Sequence, residues 1–374
     1  MKFNNDIRLS SVALFPLNAK GGVSPNMALG QMPVRPALLL KLVDSDGCFG
    51  WGEIWSNFPP RANLHKAHLM EDVVNKHLIG ASFKSPMDLI DKLRHSLSVY
   101  FLHIGQREIF EHILAGIDTA AWDLALRKDN VNFADFMGIS SQAQCYASSL
   151  NSGDLSDRLI RHADLGQTEF KLKIGFEVNE DVNFVADAAS RLPENSHLMI
   201  DSNQSWDVSS AARILSRLEE FKLLFAEEPI PADCPVKEWE NLASQTDIAL
   251  AAGENIYGIP RFLEMAEAGV KYLQPDVAKW GGVSGALALA ESLPDGCVLW
   301  PHFMGSAVGQ QAGLAISAAI GRSSKCEMDV NENALRSELC DDALIIENGC
   351  VTLPKTPGLL VPPSEDALAL YGAQ

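Results

Sequence analysis

From about Gln144 onward, short apolar runs alternate with stretches in which apolar residues recur every three or four positions. The runs are CYASSL, EFKLKIG, LMIDSN, LLFAEEP, IALAAGEN, KYLQPDVA, CVLWPH and KCEMD, eight in all. Between them lie segments such as DVNFVADAASRL, SSAARILSRLEEF and GALALAESL, whose period predicts helices with one buried stripe. A strand that is apolar throughout must be covered on both faces, and strands joined by helical crossovers run parallel. The pattern therefore predicts an α/β fold with a (β/α) barrel over 141–335, compact against the ~250 residues typical of that architecture. A doubly wound open sheet is the alternative. Against it, no G-x-G-x-x-G follows a first strand, and GGVSG at 281–285 matches neither that motif nor a Walker A loop.

The first 140 residues read differently. ALLLKLVDSDGCFGWGE has two strand-like runs around a DSDG turn, a β-hairpin pattern. From Ile109 to Leu126, apolar residues at 110, 113, 114, 117, 120, 121 and 124 predict a helix burying one face. Residues 1–140 are thus expected to form an α+β domain. The segment 336–374, with its turn-rich KTPGLLVPP, is expected to return and pack on it. A length of 374 residues suits a barrel carrying such an extra domain.

Charge narrows the choice of partner. The net charge is −18 with no basic cluster, so nucleic acid is a poor partner. No run of 18 apolar residues and no signal-like segment is present, which argues against a membrane span or secretion. The seven cysteines are scattered, without a Cys-x-x-Cys pair, and read as reduced thiols of a cytoplasmic chain. Homo-oligomers of closed symmetry are common among soluble proteins, and one is expected here.

Candidate chemistry lies where the predicted strands end, because a barrel of this kind builds its active site there. Those ends carry Lys171 and Lys173, Asp201 and Asn203, Glu227, Glu254, Asp276, His302 and Glu327, with one ionisable position recurring every 22 to 28 residues. Alternation along a strand puts Lys171 with Lys173 and Asp201 with Asn203, and sends Glu227 and Glu228 to opposite faces. Asp201, Glu227 and Glu254 suit a hard divalent ion, Mg²⁺ first and Mn²⁺ second. Their alternative use is pairing with Lys171, Lys173 and Lys279 without a metal. Lys173 and His302, on the second and seventh strands, could approach a substrate from different sides, with Asp276 fixing the imidazole tautomer.

These motifs resemble the mandelate racemase / muconate lactonizing enzyme branch of the enolase superfamily. The resemblance runs through KLK at 171–173, DSNQSW at 201–206, EEP at 227–229, GEN at 253–255, PDVAKWGG at 275–282, His302 and Glu327. It also includes GWGE at 50–53 and GIDTAAWDL at 116–124. It implies a modified barrel with an α+β cap and Mg²⁺ on Asp201, Glu227 and Glu254. Lys173 would be one base and the His302–Asp276 dyad the other. Lys171 would touch the substrate carboxylate and lower its neighbour's pKa, and Glu327 would donate a hydrogen bond to the enolate.

The implied reaction removes the proton alpha to a carboxylate through an enediolate. Two fates follow: loss of a beta hydroxyl, which makes an acid sugar into a 2-keto-3-deoxy acid, or return of the proton, which racemises a 2-hydroxy acid. Dehydration is favoured. A Schiff-base aldolase and a noncatalytic binding protein are the readings outside this class. By the same resemblance, specificity loops are expected at Leu17–Pro33 and Trp55–Arg61. Their polar residues include Lys20, Ser24, Asn26, Gln31, Asn57 and Arg61, with Met27, Leu29, Met32 and Phe58 among them. With Asn203 and Lys279, Lys20, Asn57 and Arg61 are the candidate substrate contacts. Arg61 could pair with a distal carboxylate in the bidentate manner, pointing to a diacid sugar.

Overall fold

A computed structural model of the protein describes residues 3–20, 26–27, 30–32, 34–151, 153 and 155–373. Near the N-terminus the strands Ile7–Lys20, Val34–Asp44, Phe49–Ile54 and Ser82–Phe83 form an antiparallel sheet, with Val34–Asp44 between Ile7–Lys20 and Phe49–Ile54. The DSDG turn closes the predicted hairpin. Asp44 Oδ1 accepts from the backbone N–H groups of Asp46 and Cys48, both at 2.9 Å, and Gly47 supplies the left-handed φ of 83°.

The helix Arg107–Lys128 lies on this sheet, and GWGE and GIDTAAWDL meet there. A Cβ on Gly50 or Gly52 would come within 2.1 Å of the carbonyl oxygen of Ala120 or Gly116 respectively, so glycine lets strand and helix backbones touch. The helix is buried on all sides from His112 to Leu126, not on one face as its period predicts. Its second partner is the barrel helix Gly282–Ser292, where Ser284 N–H donates to Asp118 (2.8 Å) and Trp122 Nε1 to the Ser284 hydroxyl (2.8 Å). Small residues at 115, 116, 120 and 121 allow this double packing, which no hydrophobic period reveals.

All eight predicted barrel strands form: Gln142–Leu150, Glu169–Lys173, His197–Asp201, Ala226–Glu227, Leu250–Ala252, Val270–Leu273, Val298–Leu299 and Cys326–Asp329. Each pairs in parallel with its predecessor up to the seventh, and the eighth pairs with the first. The seventh and eighth meet through a backbone bond from Glu327 N–H to the Pro301 carbonyl at 3.0 Å. Tyr146, Met199, Phe225, Ala251 and Trp300 pack together as a separate buried cluster among these strands, beneath the charged strand ends.

The C-terminal tail does two things. Its strand Cys350–Thr352 first extends the barrel sheet, antiparallel to Gln142–Leu150. It then reaches the N-terminal elements, where Asp123 Oδ1 accepts from Leu359 and Leu360 N–H (2.8 and 3.2 Å) and Ala373 N–H donates to Pro16.

Candidate active site

The charged strand ends converge as expected. Lys171, buried from water, places its ammonium 2.5 Å from Glu227 and 2.9 Å from Glu327. Lys173 pairs with Asp201 and lies 3.3 Å from Asn203 Oδ1. Asp276 Oδ2 is 2.9 Å from His302 Nδ1, and its other oxygen accepts from the Ala278 and Lys279 backbone, so aspartate and imidazole are fixed together. His302 Nε2 points the other way, 3.6 Å from both Glu254 and Glu327. Lys279 bonds Glu254 at 2.8 Å and Asn255 at 3.0 Å.

A cavity of about 370 Å³ opens over this cluster. Lys173, Glu254, Lys279 and His302 line its base, Asn57, Asn203, Gln204 and Asn255 add amides, and Trp55, Phe58 and Met304 make an apolar wall. Its size and mixed lining suit a small molecule.

Mutual electrostatics set the protonation states. Burial alone would neutralise Lys171, but Glu227 and Glu327 hold its pKa well above the ordinary value. The same competition, with Asp201 as partner, raises that of Lys173. The neighbouring Lys171 ammonium pulls it down, as expected, but the Asp201 carboxylate outweighs both burial and that pull. Burial works to lower His302 too, yet Glu254 and Glu327, with the Asp276 hydrogen bond, push it up to about 9. Glu327 is held down at about 2 against its burial by Lys171 and His302, so in this state it accepts rather than donates. Burial drives Glu227 up to about 7.

The residues present fit a divalent cation. Atoms of Glu227, Glu254 and His302 lie within 4.8 Å of one another, and Glu227 Oε1 is buried without a hydrogen-bond partner. An orphaned anionic oxygen among acids is costly without a cation. Asp201, the third expected ligand, instead turns its carboxylate to Lys173 and the Asn203 backbone N–H.

Glu228 departs from simple alternation. The strand ends at Glu227, and a φ of 40° at Glu228 re-aims its side chain. Both Glu228 oxygens accept from Asn255 Nδ2 at 3.0 Å, and burial together with Glu254 raises its pKa well above the carboxylate range. Both glutamates thus belong to the acidic cluster, where strand alternation assigned only one.

The loop residues divide. Asn57 is buried, bonds the Met304 carbonyl and lines the cavity. Arg61 is exposed at the start of the helix Ala62–Leu69 and is not part of the lining. Lys20 ends its strand exposed to solvent and lines a different cavity, beside Arg161 and Asp329. Ser24, Leu29 and Pro33 lie outside the described residues, as do the side chains of Asn26, Met27 and Gln31. Sequence reasoning did not single out Gln204, Asn255 and Met304, which line the cavity, or Gln274, which donates to Glu227 at 2.7 Å; Trp55, the first residue of an expected loop, also lines it. Gln274 follows the sixth strand, Val270–Leu273, and the strand-end rule would have found it had amides been counted with charges.

A capped barrel that gathers acids, lysines and a histidine–aspartate pair at the strand ends defines an enzyme class. The family model for the enolase C-terminal domain-like fold matches residues 154–367, and that for the mandelate racemase / muconate lactonizing enzyme N-terminal domain matches 18–138. The chain therefore belongs to the mandelate racemase / muconate lactonizing enzyme branch of the enolase superfamily. A crystal structure of a mandelate racemase/muconate lactonizing enzyme from Bordetella bronchiseptica RB50 is 34% identical, covers 98% of this chain and 99% of its own, and has a TM-score of 0.90. The D-galactarolactone cycloisomerase of Agrobacterium fabrum is 27% identical over 90% of this chain and 91% of its own. The arabinonate dehydratase of Saccharolobus solfataricus is 25% identical over 95% of each. Among the described residues no helix is long and apolar enough to cross a membrane.

Proposed function

We propose that this enzyme abstracts the proton alpha to the carboxylate of an acid sugar and dehydrates it to a 2-keto-3-deoxy acid. The observation that carries the reading is the single cavity in which Lys173 and His302 both face the space above Glu254, within a ring of amides. Hydroxyls of a polyol acid need such partners, and leaving them unpaired is costly. The activities of these relatives, arabinonate dehydration and galactarolactone cycloisomerisation, support the acid-sugar part.

Asp201, Glu227 and Glu254 are the proposed ligands of Mg²⁺, with Mn²⁺ an acceptable substitute. The ion, when bound, would supply Lewis-acid stabilisation of the charge that proton loss adds to the carboxylate. The protein's own groups do the rest. Lys173 accepts the alpha proton once Asp201 is engaged elsewhere, which is the arrangement the three-acid ligand set implies. Lys171 offers its ammonium to the substrate carboxylate. A carboxylate drawn to Lys171 competes with Glu327 for it, which raises the Glu327 pKa towards a state able to donate. His302, oriented by Asp276, protonates the departing beta hydroxyl.

Racemisation is the second reading, favoured by bases on the second and seventh strands. A Schiff-base role fits less well, because it uses no cation and leaves the buried Glu227 Oε1, which has no hydrogen-bond partner, unexplained. The test is a screen of mono- and diacid sugars and aromatic 2-hydroxy acids with Mg²⁺, following 2-keto acid formation. Turnover of a sugar acid is expected. Preference for an aromatic acid with inversion and no keto acid would replace dehydration by racemisation.

A further inference from the structure

A second buried polar chain lies behind the cavity wall and takes no part in the chemistry above. Lys66, 2% exposed on the helix Ala62–Leu69, donates to the Trp55 carbonyl and lies 2.9 Å from His112 Nδ1. His112 Nε2 continues to the Tyr257 hydroxyl at 3.0 Å. The Lys66 ammonium also stands 4.8 Å from the centroid of the Trp55 ring, and Lys279 stands 4.6 Å from the same ring. Trp55 N–H donates to the Ala278 carbonyl, so the residue spans from the cap to the barrel loop that carries Asp276 and Lys279.

We infer that Lys66 is a positioning residue for the substrate wall: by holding both the carbonyl and the ring of Trp55, it fixes the indole beside Lys279 at the cavity mouth. The inference rests on that cavity being the substrate site. An ammonium within about 6 Å of an indole centroid is attracted to it, and more so when desolvated. The remaining groups around the Lys66 amine are neutral or repulsive except for Asp276. His112 from the helix Arg107–Lys128 is driven well below its ordinary pKa by burial, and Tyr257 stands beyond it. Lys279 repels, and Asp276 is the attracting charge. Burial, assisted by Lys279, brings Lys66 down to about 7. The ammonium's hold on the ring is therefore present below neutrality and weakens above it, while the neutral amine can still bond the carbonyl.

Trp55 can be read directly without any substrate, so the outcome is independent of the reaction assigned above. Emission of the wild-type protein less that of Trp55→Phe isolates this indole, and the difference is followed across neutrality. A step with its midpoint near 7 is expected in the wild type. It should be absent in Lys66→Met, and in Lys66→Arg the signal should stay in its low-pH form throughout. A step that survives in a folded Lys66→Met or in Lys66→Arg, or a wild-type difference signal without pH dependence, overturns the inference. On the substrate found by the screen, Lys66→Met should raise KM severalfold more than it lowers kcat. An effect on kcat alone would contradict a role in the wall.

Discussion

An ammonium surrounded by a carbonyl, an imidazole and an indole, as at Lys66, is held at a cost that depends on pH. Its folded pKa, about 7, lies below the ordinary 10.5, so between those values the unfolded chain holds a proton that the folded chain has released. Stability rises with pH wherever the unfolded state binds more protons. The penalty is thus fully present below about 7 and is relieved as pH climbs towards 10.5. The Tm of Lys66→Met minus that of wild type should be highest below neutrality and should fall steadily as pH rises from 7 towards 10.5. A value that rises with pH would contradict the assignment. The two proposed bases separate by isotope exchange. Lys173→Ala should abolish exchange of the alpha proton with solvent, whereas His302→Asn, if His302 serves the leaving hydroxyl, should retain exchange while losing keto acid. Loss of exchange on one epimer in Lys173→Ala and on the other in His302→Asn would favour two bases at the alpha carbon and racemisation.

Strand ends and helix starts hold the site in place. Glu53, at the end of the GWGE strand, accepts from Ser306 N–H (3.0 Å), the Ser306 hydroxyl (2.6 Å) and Gly309 N–H (2.9 Å) at the start of the helix Ala307–Ile320. A carboxylate suits the positive end of a helix, and this one ties the cap to the segment that follows His302. In Glu53→Gln an amide group must face an N–H or hydroxyl donor, which costs on the order of 1–3 kcal/mol. A lowered Tm with reduced kcat is expected, and unchanged values of both would dismiss the strut. Gly50 is more demanding. With backbone 2.1 Å from its would-be Cβ, Gly50→Ala should destabilise by about 3 kcal/mol or more, read by denaturant unfolding. These elements also show what a sequence carries. Parallel strands are apolar throughout, so all eight barrel strands and their charged ends were legible as runs. The turn at Glu228 was not, because one positive φ overrides alternation.

Across the whole molecule, the cap and barrel meet around one cavity, and the tail joins the two away from it. Side chains at the ends of the barrel strands meet at one mouth because strand geometry fixes their direction. Arg61 and Lys20 sit on the cap, whose loops take their orientation from contacts far along the chain, and neither lines the cavity over Glu254. Lys66, His112 and Tyr257 share no spacing, and only folding makes them neighbours. Every role proposed for the strand-end residues depends on metal-dependent removal of an alpha proton at the cavity over Glu254 and His302. Release to solvent of the label from acid deuterated at the alpha carbon, measured with Mg²⁺ and after exhaustive chelation, tests that step. Rapid release that falls by at least about 10²-fold on chelation and returns with added Mg²⁺ is the expected result. Undiminished release after chelation, or turnover that leaves the label at the alpha carbon, would contradict it.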